Sequence, residues 1–124
     1  MKQKTVLLGH GSGGRLSHEL IKNLFVKYFD NPILDRQGDS ALLHTKSDEI
    51  AFTTDSYVID PIFFTGGNIG KLAVCGTVND IAVSGAEPKY LSAAFIIEEG
   101  LPMDELEQIV SSMADEARKA GVQI

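Results

Sequence analysis

The chain has 124 residues, enough for one domain around one hydrophobic core. Its 44% hydrophobic and 23% charged content is that of a globular protein, and no apolar run nears the roughly 18 residues of a membrane span. Seventeen acidic against eleven basic side chains give a formal charge of −6; this opposes a broad nucleic-acid surface but admits a nucleotide whose charge a metal ion offsets.

Cys75 stands alone, so no internal disulfide is available and a cytoplasmic setting is expected. The start, "MKQKTVLLGHGSGG", has too short an apolar stretch for a signal peptide. No repeat or linker interrupts the sequence, so residues 1–124 are expected to form one domain. In chain order, residues 5–8 suit a short strand. From Leu16, the positions Leu20, Ile21, Leu24, Phe25 and Tyr28 recur at helical spacing, until "DNP" at 30–32 stops the helix. Residues 41–45 and 50–54, flanking "KSDE", predict a β-hairpin. The stretch "DPIFFTGGN" at 60–68 reads as a loop with an apolar tip. Small residues run through a predicted helix over 69–84, closed by Gly85 with Pro88 beyond. Residues 90–97 read as a buried strand. The last helix keeps Met103, Leu106, Val110, Met113, Ala117 and Ala120 on one stripe, between Pro102 and Gly121.

The glycines of "GHGSGG", 9–14, leave backbone N–H groups open just before a helix N-terminus, which suits an anion as well as a flexible entry loop. The pattern fits G-x-G-x-x-G, yet a dinucleotide fold also needs a second strand and an acid roughly 20 residues on. Asp30 and Asp35 lie near that distance, but "NPILDRQ" is a poor strand. Neither "GHGSGGRL" nor "TGGNIGKL" completes a P-loop.

The aspartates carry more information. Asp80 interrupts an apolar, small-residue helix, where an unpaired carboxylate is costly unless it caps a neighbouring loop or binds a cation. If the predicted hairpin closes through three residues, Asp39 faces Tyr57 and Asp55 is its diagonal neighbour. A loop one residue longer or shorter reverses that parity. Asp39, Asp55 and Asp80, with Asn79, form an oxygen-only donor set suited to Mg²⁺. His10, His18 and His44 are scattered and make no zinc pattern.

Taken together, "GHGSGG", "QGDSALL", "FTTDSYVIDPIFFTGGNIGKLAVCGTVNDIAVSGAEPKYLS" and "EEGLPM" resemble the N-terminal half of the HypE family of hydrogenase maturation proteins. That family falls in the superfamily of aminoimidazole ribonucleotide synthetase, selenophosphate synthetase and thiamine-monophosphate kinase. The resemblance implies an α+β fold like the aminoimidazole ribonucleotide synthetase N-terminal domain. It has a mixed sheet, helices on one face, and strands pairing across a dimer two-fold. It implies an ATP-dependent carbamoyl dehydratase that turns an S-carbamoyl group on a C-terminal cysteine into thiocyanate, a source of cyanide for the iron of [NiFe] hydrogenase. Asp39, Asp55 and Asp80 match the family's metal-site carboxylates, with Ser40 replacing a second Asp. Gly11, Ser12, Gly13, Gly14, Asp55, Gly67, Asn68, Asn79 and Asp80 are the implied nucleotide contacts. ATP and Mg²⁺ are the implied cofactors. A homodimer, the HypF carbamoyltransferase and the HypC–HypD complex are the implied partners, with no nucleic acid and no membrane.

Family members continue into a second α/β domain with a lysine and a terminal cysteine, so these 124 residues alone are not expected to complete the reaction. A non-catalytic dimerisation and scaffold module is the competing expectation. A selenophosphate-type activity is disfavoured, since no cysteine precedes position 75.

Overall fold

The computed structural model describes residues 4–124. Helix α1, Arg15–Leu20, passes directly into a π-helical stretch, Ile21–Val26, and a last turn, α2, Lys27–Phe29. Asp30 takes a left-handed conformation, φ 31°, and ends it one residue before the Asn31–Pro32 pair. Asn31 is buried there: its carbonyl oxygen accepts from the N–H groups of Ile33 and Leu34, and its Nδ2 donates to the Ile124 carbonyl at 2.8 Å.

Strands β1, Phe63–Phe64, and β2, Gly67–Asn68, form a minimal antiparallel hairpin around Thr65 and Gly66. Gly66 has φ 94°, which a side chain would oppose. The apolar tip expected as a loop is therefore a small sheet. Helix α3, Ile69–Val83, follows at once, with Ser84 as its C-cap and Gly85 at φ 85°. Helix α4, Met103–Ala120, has Asp104 and Glu105 in its first turn and Arg118 and Lys119 in its last, which complements its dipole. Gly121, at φ 69°, closes it.

Helix α4 is the centre of the core. One face packs Val110 and Leu106 against Val6 and Leu24, and the adjoining face packs Ile109, Met113 and Ala117 against Val74 and Val122. Phe29 and Phe95 border both groups. Helices α3 and α4 touch backbone to side chain at Gly70, where a Cβ would collide with the Ile109 carbonyl and lie 2.9 Å from Met113 Cγ.

The expected sheet is the main correction. The α+β class holds, but the sheet among the described residues is the two-stranded β1–β2 hairpin, not a mixed sheet. Residues 41–45 and 50–54 run without ladder hydrogen bonds, and Leu42, Leu43, Ile50 and Phe52 are exposed. Residues 90–97 are extended rather than paired in a sheet. Leu91 N–H donates to Gln123 O, and Phe95 and Ile97 face the core while Ile96 faces outward. Residues 5–8 reduce to a bridge between Thr5 and Pro102 followed by a 3-10 turn, Leu8–Gly11. The physical reason is common to all three stretches. A strand needs a neighbour for its N–H and C=O groups: residues 5–8 and 90–97 find one only at one end, through Val6 with Leu101 and Leu91 with Gln123, and residues 41–45 and 50–54 find none among the described residues.

Candidate functional site

The C-terminal half of α3 and the extended stretch before β1 build one polar cluster. Thr77 and Asp80, three residues apart on a helix, share a face of α3 with Gly76. Opposite them, alternation along the extended chain turns Asp55 and Tyr57 to the same side. The Tyr57 hydroxyl donates to Asp55 Oδ2 at 3.1 Å and lies 3.4 Å from Thr77 Oγ1. Thr77 donates its own proton to the Ala73 carbonyl at 2.8 Å, one helical turn back. The Asp55 carboxyl, as hydrogen-bond partner and as a charge, together with a little burial, holds the Asp80 carboxyl above its ordinary range. Burial, with the charges of Asp55 and Asp80, pushes the Tyr57 phenol up as well, while its contact with Thr77 pulls it down.

Two carboxyls held this close share a proton or a cation between them. Their oxygens, hard and exposed to solvent, suit a divalent ion such as Mg²⁺ that keeps most of its water and grips phosphate oxygens. Asp55 and Asp80 are the residues that would hold the implied metal, and Mg²⁺ there would supply charge neutralisation for a polyphosphate.

The third acid is not with them. Among the described residues, no group of three His, Cys, Asp or Glu side chains is arranged to hold a metal. Asp39 is exposed in the stretch whose hairpin does not form, and with that hairpin goes the register that brought it beside Asp55. Asn79 is exposed on α3 next to Asp80. Gly67 belongs to β2, where a Cβ would meet Lys71 Cδ at 3.0 Å. Asn68 is buried and engaged in folding. Its Oδ1 accepts from Gly70 N and Lys71 N as the N-cap of α3, and its Nδ2 donates to Ser112 Oγ at 2.8 Å. Its position just before a small-residue helix was the signal for that capping role.

Gly11, Ser12, Gly13 and Gly14 form an exposed connection into α1. Ser12 Oγ donates to the Gly9 carbonyl, Gly13 N–H to Ser17 Oγ, and Gly13 sits at φ 77°. The largely apolar cleft beside this loop, 230 Å³, is bordered by Leu8, His10, Ile21 and Phe25 and by neither acid of the pair. His10 Nδ1 accepts from the Leu7 N–H at 2.9 Å, so this ring nitrogen is committed to the loop itself. Tyr57 was missing from the expected site residues, and a glycine midway along α3, at position 76, was the trace it left in the sequence.

Comparison with known proteins bears on this cluster. The family pattern of the AIR synthase related protein, N-terminal domain, matches residues 37–124. The carbamoyl dehydratase HypE of Escherichia coli (strain K12) is 57% identical over 124 residues, 96% of this chain and 37% of that protein. HypE of Azotobacter vinelandii is 48% identical over 100% of this chain and 36% of its own length. A crystal structure of the hydrogenase maturation protein HypE in complex with ATP superposes with a TM-score of 0.94 at 58% identity, covering 97% of this chain and 36% of that one. The crystal structure of E. coli HypE gives a TM-score of 0.82 at 58% identity, over 86% of this chain and 35% of the other. The chain thus spans a little over a third of the length of the curated relatives it matches. It belongs to the AIR synthase related protein family, whose N-terminal domain it forms.

Proposed function

We propose that these residues form the ATP-binding part of an ATP-dependent carbamoyl dehydratase. The observation that carries the reading is the Asp55–Asp80 pair, set on a fold that superposes at 0.94 on a relative described in complex with ATP. Asp55 and Asp80 would hold Mg²⁺, with Asn79 and the Gly11–Gly14 backbone as further contacts to the nucleotide. Asp39 joins them only if its segment folds over the pair. The role assigned to this chain is binding and orientation; no residue in it is given the dehydration step. In that step the carbamoyl group on a cysteine sulfur loses the elements of water, which ATP takes up in becoming ADP and phosphate, and thiocyanate remains on the sulfur. Cyanide for a hydrogenase iron, with HypF and the HypC–HypD complex as partners and the cytoplasm as the setting, completes the reading.

Calorimetry with Mg-ATP, on the full reading frame containing these residues, tests it. Asp55→Ala and Asp80→Ala should each weaken binding about tenfold or more, the worth of a charge-assisted contact. Unchanged affinity in both variants would remove the metal-site argument.

A second surface favours self-association. Phe52 is 85% and Val58 98% exposed, on extended backbone with no ladder partner among the described residues. We infer that these edges pair with a second copy, as the dimer two-fold of the implied fold requires. Sedimentation with and without Mg-ATP separates the readings: a dimer indifferent to nucleotide that binds none favours the scaffold module. A monomer under both conditions rejects the pairing.

A further inference from the structure

The Tyr57 ring packs into a gap in α3. Gly76 lies mid-helix, where glycine is less favourable than alanine. The gap is filled by the Tyr57 ring: a Cβ on Gly76 would collide with the tyrosine hydroxyl and stand 3.0 Å from its Cζ and 3.2 Å from its Cε1. The hydroxyl so seated donates to Asp55 Oδ2 and touches Thr77 Oγ1. It connects the extended chain to the helix at the point where Asp55 meets Asp80. Asp55 sits on backbone with no ladder partner among the described residues, so its carboxylate needs a fixed neighbour to hold one orientation.

We propose that Tyr57, lodged against Gly76, is a positioning residue that holds the Asp55 carboxylate in the orientation in which it and Asp80 bind a divalent cation and its polyphosphate. The inference rests on the ATP-binding reading above. It adds a tyrosine and a glycine to a site otherwise made of acids. Tyr57 acts through Asp55 and needs no contact with the ligand.

The test uses the full reading frame and two measurements, calorimetric affinity for Mg-ATP and the unfolding midpoint in EDTA. Tyr57→Phe keeps the ring in its gap and removes the hydroxyl; affinity should fall about three- to tenfold, the worth of an ordinary solvent-exposed hydrogen bond. The midpoint without metal or nucleotide should stay within about 2 °C, because the packing survives. Gly76→Ala should weaken binding at least as much by displacing the hydroxyl. In the Tyr57→Phe background its added effect should shrink to about twofold or less, as expected when both changes act on one contact. Asp55→Asn and Asp80→Asn serve as references. Wild-type affinity in Tyr57→Phe, with both Asn variants impaired, overturns the positioning role alone. Wild-type affinity in all three overturns the cation site and the inference with it. A loss in Tyr57→Phe matched by a large drop in the EDTA midpoint, or full additivity with Gly76→Ala, would make the tyrosine a packing residue and overturn the proposal.

Discussion

Helix α4 and the extended stretch over residues 39–60 are two ways of writing structure into a chain. Helix α4 closes its hydrogen bonds locally and presents one apolar stripe, so Leu106 and Val110 find a core as soon as the helix forms. The extended stretch has suitable apolar residues, Leu42, Ile50, Phe52 and Val58, and leaves all four exposed. The difference lies in where the partner is. A helix satisfies its backbone within four residues, whereas a strand depends on residues far away or on another molecule. The same division runs through the site, with Thr77 and Asp80 on the helix and Asp55 and Tyr57 on the extended chain.

The contrast can be broken most forcibly from the helix side. Leu106→Ala removes a side chain only 2% exposed and should lower unfolding free energy by about 2–5 kcal/mol in denaturant titration. Asn68→Ala deletes the cap of α3 and its bond to Ser112; about 0.5–2 kcal/mol should be lost in the same measurement. Phe52→Ser, on the other side of the contrast, should leave monomer stability within about 0.5 kcal/mol. It should change only the sedimentation behaviour. If Phe52→Ser destabilises as much as Leu106→Ala, the stretch has a core within the chain and the contrast fails.

The smallest effect concerns pH. A hydrogen bond from Lys119 holds the Glu116 carboxyl below its ordinary range, and the same bond raises the Lys119 ammonium. The stabilisation is present above the ordinary glutamate range and is lost as pH falls through the depressed Glu116 value. At the alkaline end it fades only as pH rises through the raised lysine value. Thermal melts of Glu116→Gln between pH 3 and pH 7 should show a slightly shallower acid limb than the parent. An identical limb would show the pair to be fully screened at this surface.

Much of the helical frame was legible in the sequence. Glycines at 85 and 121 and the "DNP" stop mark helix ends that the structure reproduces at φ 85°, φ 69° and a left-handed Asp30. The stripe on α4 named Leu106, Val110, Met113 and Ala117 of its buried face; Ile109 and Ala114 join them, while Met103 is half-buried and Ala120 exposed. Residues 41–45 and 50–54 have the composition of strands, but composition does not supply the neighbour they require. The hairpin register that would set Asp39 beside Asp55 is therefore absent among the described residues. Asp55 and Asp80 were legible as acids in unlikely company. The seating of Tyr57 between Asp55 and Thr77 was not, because a gap at Gly76 becomes meaningful only when something is seen to occupy it.

The bare backbone at Gly70 mounts one half of the acid pair. With the Ile109 carbonyl pressed against it, any side chain at position 70 would push α3 off α4. Thr77 and Asp80 ride on that same helix. A substitution two turns away, touching no member of the cluster, would therefore displace one half of it from Asp55 and Tyr57.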